Sequence, residues 1–159
     1  MPIRRRKAVR TNLLKTILSA LAVVLFSMPA GDSRAQAKLT LPDAKAVRML
    51  TDAVMAKVGA GDTEAGLRLL QPYMVIPAAE FESVVGQAKL QVPVMSQRFG
   101  KSVGSEFLRE DKAGERILRI AQLNLFEQHA TRWTFYFYRT SKGWVLNTFQ
   151  VNDDIKAFF

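Results

Sequence analysis

Hydrophobic spacing changes character once along this chain, at Gly100, and that change limits the folds open to it. Before Gly100, apolar residues recur at intervals of three and four, the spacing that lines one face of a helix. After it come four runs rich in aliphatic and aromatic residues, "GSEFLRED", "ERILRIAQLNLFE", "TRWTFYFYR" and "GWVLNTFQV", separated only by "KAG", "QHA" and "TSKG". Breaks that short join antiparallel neighbours, so the runs predict a four-stranded meander. Helices first and strands afterwards predict a two-layer α+β domain, with three N-terminal helices packed on a curved four-stranded antiparallel sheet.

Each helix has its own signals. In "TLPDAKAVRMLTDAVMAKVGAGD", Thr40 is a candidate N-cap, Pro42 falls early in the first turn, Asp43 sits near the positive helix end, and Gly59 is the stop. Val47, Leu50, Val54 and Val58 mark the buried face. A short second helix is capped by Asp62, buries Leu67, Leu70 and Tyr73, and ends near Pro72. The third stripe, Phe81, Val84, Val85, Ala88, Val92, Met95 and Phe99, keeps its phase across Pro93. That continuity predicts a kinked helix or two abutting ones, with Met95 and Phe99 in the core. Among the strands, Leu118 and Ile120 share one parity and Leu123 and Leu125 the other. Such a slip predicts a bulge near Ala121 or Gln122.

The first residues read as an export signal. "MPIRRRKAVRTNLLK" is basic, Thr16 to Met28 is a thirteen-residue apolar run without charge, and "PAGDSRAQA" places Ala35 and Ala37 in the spacing a signal peptidase reads. The run is short of the roughly 20 residues a membrane-crossing helix needs. Residues 1–37 are therefore expected to be a cleaved signal peptide, leaving 38–159 as one periplasmic or secreted domain with no stable membrane span. The cut also changes the charge. Seven of the 23 Lys and Arg but only one of the 14 acids precede Lys38, which lowers the net from +9 to +3. The remaining charges alternate in sign, as in "FLREDKAGERILR", the pattern of a solvated face and not of a nucleic-acid track. With no cysteine in the chain, disulfides, thiol chemistry and thiolate metal sites are excluded.

Seven aromatic side chains crowd into the nineteen residues from Arg132 to Gln150. Strand alternation puts Trp133, Phe135 and Phe137 on one face and Thr134, Tyr136 and Tyr138 on the other. The first set reads as core. Tyrosines have an apolar body and a polar tip, so Tyr136 and Tyr138, with Tyr73 and Trp144, form the candidate ligand or partner surface. Simple cross-strand pairing on a wet face is the competing use of the two strand tyrosines.

Catalytic residues are scarce. His129 is the only histidine and falls in a turn, where an exposed loop role is expected. No metal-ligand spacing occurs, and the Asp153-Asp154 pair lacks the six or so oxygen ligands calcium takes. No serine lies in a nucleophile elbow, and "GKSVGSEF" has the wrong spacing for a phosphate loop. Neither cofactor nor metal is implied. Proton transfer by a carboxylate with a tyrosine donor is the one chemistry with residues to hand: Glu127, Asp153, Tyr73, Tyr136 and Tyr138. The terminal "IKAFF" reads as a short apolar tail, docked or exposed.

From Pro42 to Asp154, the order of three helices, a meander and a late hairpin closing on "SKGWVLNTFQVND" resembles small secreted members of the nuclear transport factor 2-like, or cystatin-like, cone superfamily. Gly143-Trp144 is the local motif shared with them. The resemblance implies a cone whose interior holds a small apolar ligand and whose outer sheet face makes a dimer. Together these features lead us to expect an exported, non-catalytic domain binding a small apolar ligand or a protein partner, as a homodimer. The alternative is an isomerase- or hydrolase-like enzyme of the same fold, using the buried carboxylate and tyrosine.

Overall fold

In a computed structural model, residues 37–159 are described. The signal peptide expected over 1–37 falls outside them, apart from Ala37. Three helices come first: α1 (Ala44–Gly59), α2 (Thr63–Leu70) and α3 (Ala78–Phe99), with a 3-10 turn at Gln71–Tyr73 after α2. Four strands follow: β1 (Ser102–Ala113), β2 (Ile117–Phe126), β3 (Ala130–Thr140) and β4 (Gly143–Asn152). They form one open antiparallel sheet in the order β1-β2-β3-β4. The α+β class and the meander are as the spacing predicts.

Helix starts follow capping chemistry. Asp43, not Thr40, caps α1, its carboxylate accepting from Ala46 N–H at 2.8 Å. Thr40 Oγ1 instead donates to Lys142 O at 3.0 Å, because its segment runs beside β4. Leu41 and Trp144 exchange both backbone bonds there, at 2.9 and 2.8 Å. This contact explains the Gly143-Trp144 pair. Gly143 has φ 134°, and a Cβ on it would lie 2.6 Å from Leu41 O. Asp62 caps α2 through Ala65 N–H at 3.0 Å, as expected. α3 runs unbroken through Pro93.

The core joins both layers. Val47, Val54 and Met55 of α1, Leu67 of α2 and Phe81 of α3 pack against Leu118, Ile120, Phe135 and Phe137 of the sheet. Trp133 and Trp144 belong to the same cluster.

The expected bulge in β2 is absent. β2 pairs with β3 without a register shift. The extra residue is in β1, where Phe107 faces Gln122, Arg109 faces Ala121, and Leu108 has no partner. The parity change from Ile120 to Leu123 is not a slip of the strand, because the leucines beyond it do not face the helices. Gln122 and Asn124 hold the inward positions after Ile120 and are 2 % and 4 % exposed, while Leu123 and Leu125 turn to the outer face. Inward polar side chains survive when bonded. Gln122 Nε2 donates to Thr51 Oγ1 at 3.0 Å and to Asp52 Oδ1 at 2.8 Å.

Candidate ligand-binding cavity

α3 is buried at its two ends and packs more loosely between them. Phe81 and Val85 are buried near its start and Phe99 at its end. Phe99 is sandwiched, with His129 stacked on it at 4.1 Å and Phe126 at 5.8 Å. Between these anchors Val84, Ala88, Val92 and Met95 keep the phase of the stripe but are only half-buried. Met95 is thus not a core residue. The stripe is the roof of a cavity of about 430 Å3, with Asn124, Thr131, Trp133 and Phe149 of the sheet opposite it. That volume falls within the roughly 300–1,000 Å3 of small-molecule sites.

The floor divides into an apolar and a polar part. Trp133 and Phe149 present parallel rings, 6.0 Å apart and inclined by 2°. Next to them Asn124 and Thr131 face each other in register. Ser102 Oγ lies 2.7 Å from Asn124 Oδ1 and 3.0 Å from Gly59 O, the two nearest of the acceptors around its one proton. Thr131 is 1 % exposed and Trp133 5 %, yet neither Thr131 Oγ1 nor Trp133 Nε1 has a hydrogen-bond partner. An unmade bond of that kind costs about 1–3 kcal/mol in a closed interior. These two atoms are the unsettled feature of the wall.

Charge is sparse around the cavity. Among the described residues, Lys101, itself exposed, is the one ionisable residue in the lining, and no Asp, Glu, His or Tyr shares it. Glu127 accepts from Lys101 N–H at 3.1 Å but lies outside the lining. A charge network clamps α2 to α3. Arg68 bridges Glu64 at 3.0 Å and Glu82 at 2.9 Å, and Lys89 reaches Glu64 at 2.6 Å. Lys89 first, then Arg68, hold the Glu64 carboxyl below its ordinary range, and Arg68 does the same for Glu82. Arg68 is in turn held more firmly protonated by Glu82 and Glu64.

The residues expected to form a ligand surface are not brought together. Tyr136 and Tyr138 lie on the outer face of the sheet, Tyr136 half-buried and Tyr138 41 % exposed. Tyr138 sits opposite Ile117 in the neighbouring strand, and Tyr136 opposite Arg119. Arg119 in turn donates to Asp111 at 3.0 and 3.1 Å. Tyr73 packs half-buried against the core, and Trp144 is buried within it. None of the four lines the cavity. His129 does occupy a turn, but it is half-buried on Phe99 and its Nε2 lies 2.8 Å from Asp153 O. Asp153 pairs with Arg98 at 3.4 Å, and Asp154 caps the closing 3-10 turn Ile155–Phe158. Arg132 holds that turn through Ala157 O and lies over the Phe158 ring, whereas Phe159 is fully exposed.

Among the described residues, no three His, Asp or Glu side chains gather as a metal site, and no helix is long and apolar enough to cross a membrane. The residues missed by sequence reasoning are Asn124, Thr131 and Ser102. Their signal was present as polar residues at inward parity beside Trp133. A second hollow, bounded by Lys38–Thr40 and the β3–β4 turn, is a surface groove without a helix wall. No protein-family model, curated protein or solved structure matches the chain. What the fold and site define is an open antiparallel sheet with a helix-roofed, mainly apolar cavity.

Proposed function

We propose that this chain is an exported, non-catalytic α+β domain of cone-like build that binds a small apolar ligand between α3 and the sheet. The observation that carries the reading is the half-buried stripe Val84, Ala88, Val92 and Met95, all four of which line the cavity. Burying such surface is worth about 25 cal/mol per Å2, enough to hold a small hydrophobic molecule. The lining supports binding over proton transfer, since the carboxylates and tyrosines that an enzyme of this fold would use lie elsewhere. Export rests on the leader sequence, and a homodimer rests on the outer face, where Tyr138 and Ile117 form an exposed apolar pair.

The test is titration of the protein with 1-N-phenylnaphthylamine, followed by fluorescence. Saturable binding is expected, and Val92→Phe, which adds bulk to the roof outside the core cluster, should abolish it while the thermal melt is kept. Absence of saturable binding, or a Val92→Phe variant that binds as well as the parent, would remove this reading. Sedimentation of the same samples tests the dimer.

A further inference from the structure

We infer that one end of the sheet is a docking surface for an anionic lipid bilayer, formed by Lys38, Arg116, Arg139 and Lys142 with Leu39 among them. The inference goes beyond the ligand reading and does not depend on it. Consecutive strands run antiparallel, so the β1–β2 and β3–β4 turns leave the sheet at the same end. Arg139 N–H donates to Arg116 O at 2.9 Å, which sets those two residues side by side. Thr40 Oγ1 donates to Lys142 O, so the Lys38–Thr40 segment lies against the β3–β4 turn, and the two bound a common groove. The cavity lies toward the opposite end, with Ser102, Asn124 and Thr131.

Charge and exposure select the occupant. Residues 37–40, 113–116 and 139–142 carry four cations against one acid, Glu115. All four cations are exposed, and among the described residues none is in an ion pair, whereas Arg48, Arg68, Arg98 and Arg119 each bridge a carboxylate. Like charges gathered without counter-charges repel one another, and an anionic surface relieves that repulsion. Leu39, 53 % exposed beside Lys38, adds an apolar group that can enter the headgroup boundary. Ile117 and Tyr138, placed above at the dimer face, adjoin the patch in sequence but are not required by it. The expected leader favours lipid over an acidic protein. Nine residues separate its apolar run, which ends at Met28, from Lys38. A fully extended chain of that length reaches roughly 35 Å, so with the run in a bilayer this end of the domain is the one tethered nearest the lipid.

Co-sedimentation with vesicles tests the assignment, using the exported chain with its N-terminus verified by mass spectrometry. Binding is expected to phosphatidylcholine vesicles that contain phosphatidylglycerol, not to phosphatidylcholine alone, and it should be lost in high salt. A basic residue near such a surface is worth about fivefold in affinity, so Arg139→Glu with Lys142→Glu should weaken binding about thirtyfold or more. Lys57→Glu with Lys156→Glu makes the same change in net charge at exposed sites outside the patch and should leave most of the binding intact. No binding to anionic vesicles, or equal loss in the two double variants, would overturn the lipid assignment. Capture of polyglutamate but not of vesicles would overturn it too, in favour of an acidic protein partner.

Discussion

His129 lies flat on Phe99, ring centroids 4.1 Å apart and planes 26° from parallel, so the β2–β3 turn clasps the last turn of α3. The imidazole is fixed from its other side by the carbonyl of Asp153, 2.8 Å from Nε2. One end of the cavity roof is thereby tied to both the middle and the end of the sheet.

Removing that clasp should show in stability. Phe99→Ala is expected to cost about 3–5 kcal/mol, the range for a buried aromatic. His129→Ala loses a stack worth about 0.5–1.5 kcal/mol and a hydrogen bond of similar size. Urea unfolding should rank the variants in that order, and hydrogen exchange should show faster exchange in the last turns of α3 for both.

Two helical glycines should respond to alanine with opposite sign. Gly86 lies in α3, and a Cβ there meets nothing within 4 Å. Gly86→Ala should therefore gain the helix propensity difference, about 0.8–1.0 kcal/mol. Gly59 ends α1 against β1, where a Cβ would stand 2.7 Å from the backbone carbon of Gly104. Since backbone cannot swing aside, Gly59→Ala should lower the melting temperature, and calorimetry on the pair separates the two effects.

How much of this was legible in the sequence differs by feature. Asp62 as a cap and the stripe from Phe81 to Phe99 could be read because caps and helical phase are local properties. Trp133, Phe135 and Phe137 face the helices as alternation required, since β3 pairs with β2 without interruption. The bulge could not be assigned to β1, because Leu108 is left without a partner opposite Ala121 and Gln122 only once β1 and β2 pair. Nor could the cavity. Periodicity says which way Val92 and Met95 point but not whether anything fills the space before them. That depends on Phe81 and Phe99 holding the helix at its ends.

The inward polar residues make a separate prediction. Gln122→Leu keeps volume but removes the amide's bonds to Thr51 Oγ1 and Asp52 Oδ1, while the Thr51 hydroxyl keeps its bond to Arg48 O at 2.9 Å. A loss of about 0.5–1.5 kcal/mol for each bond removed is expected. Coupling with Thr51→Val in a double-mutant cycle should recover part of it, whereas independent effects would place the cost elsewhere.

Acid should loosen the α2–α3 clamp. Glu64 and Glu82 have carboxyls held below their ordinary range by Lys89 and Arg68, so they bind fewer protons folded than unfolded. Their contribution is present above the unfolded carboxylate range and fades as pH falls through the lowered folded values. The groups are exposed, so the effect is small and screened by salt. Arg68→Gln should flatten the acid limb of the stability curve at low ionic strength. An unchanged limb would remove the clamp from the account.

Pro93 sits in the loosely packed span of α3, beyond the Lys89–Glu64 pair and before the buried Phe99. A proline has no N–H for the carbonyl four residues before it, so the helix bends most easily there. The roof is therefore compliant above the cavity, while the floor is pinned by the β2–β3 ladder and the Ser102–Asn124 bond. The two walls of the chamber thus differ in stiffness, and under the proposed ligand-binding reading a change in girth would be taken up by α3 and not by the sheet.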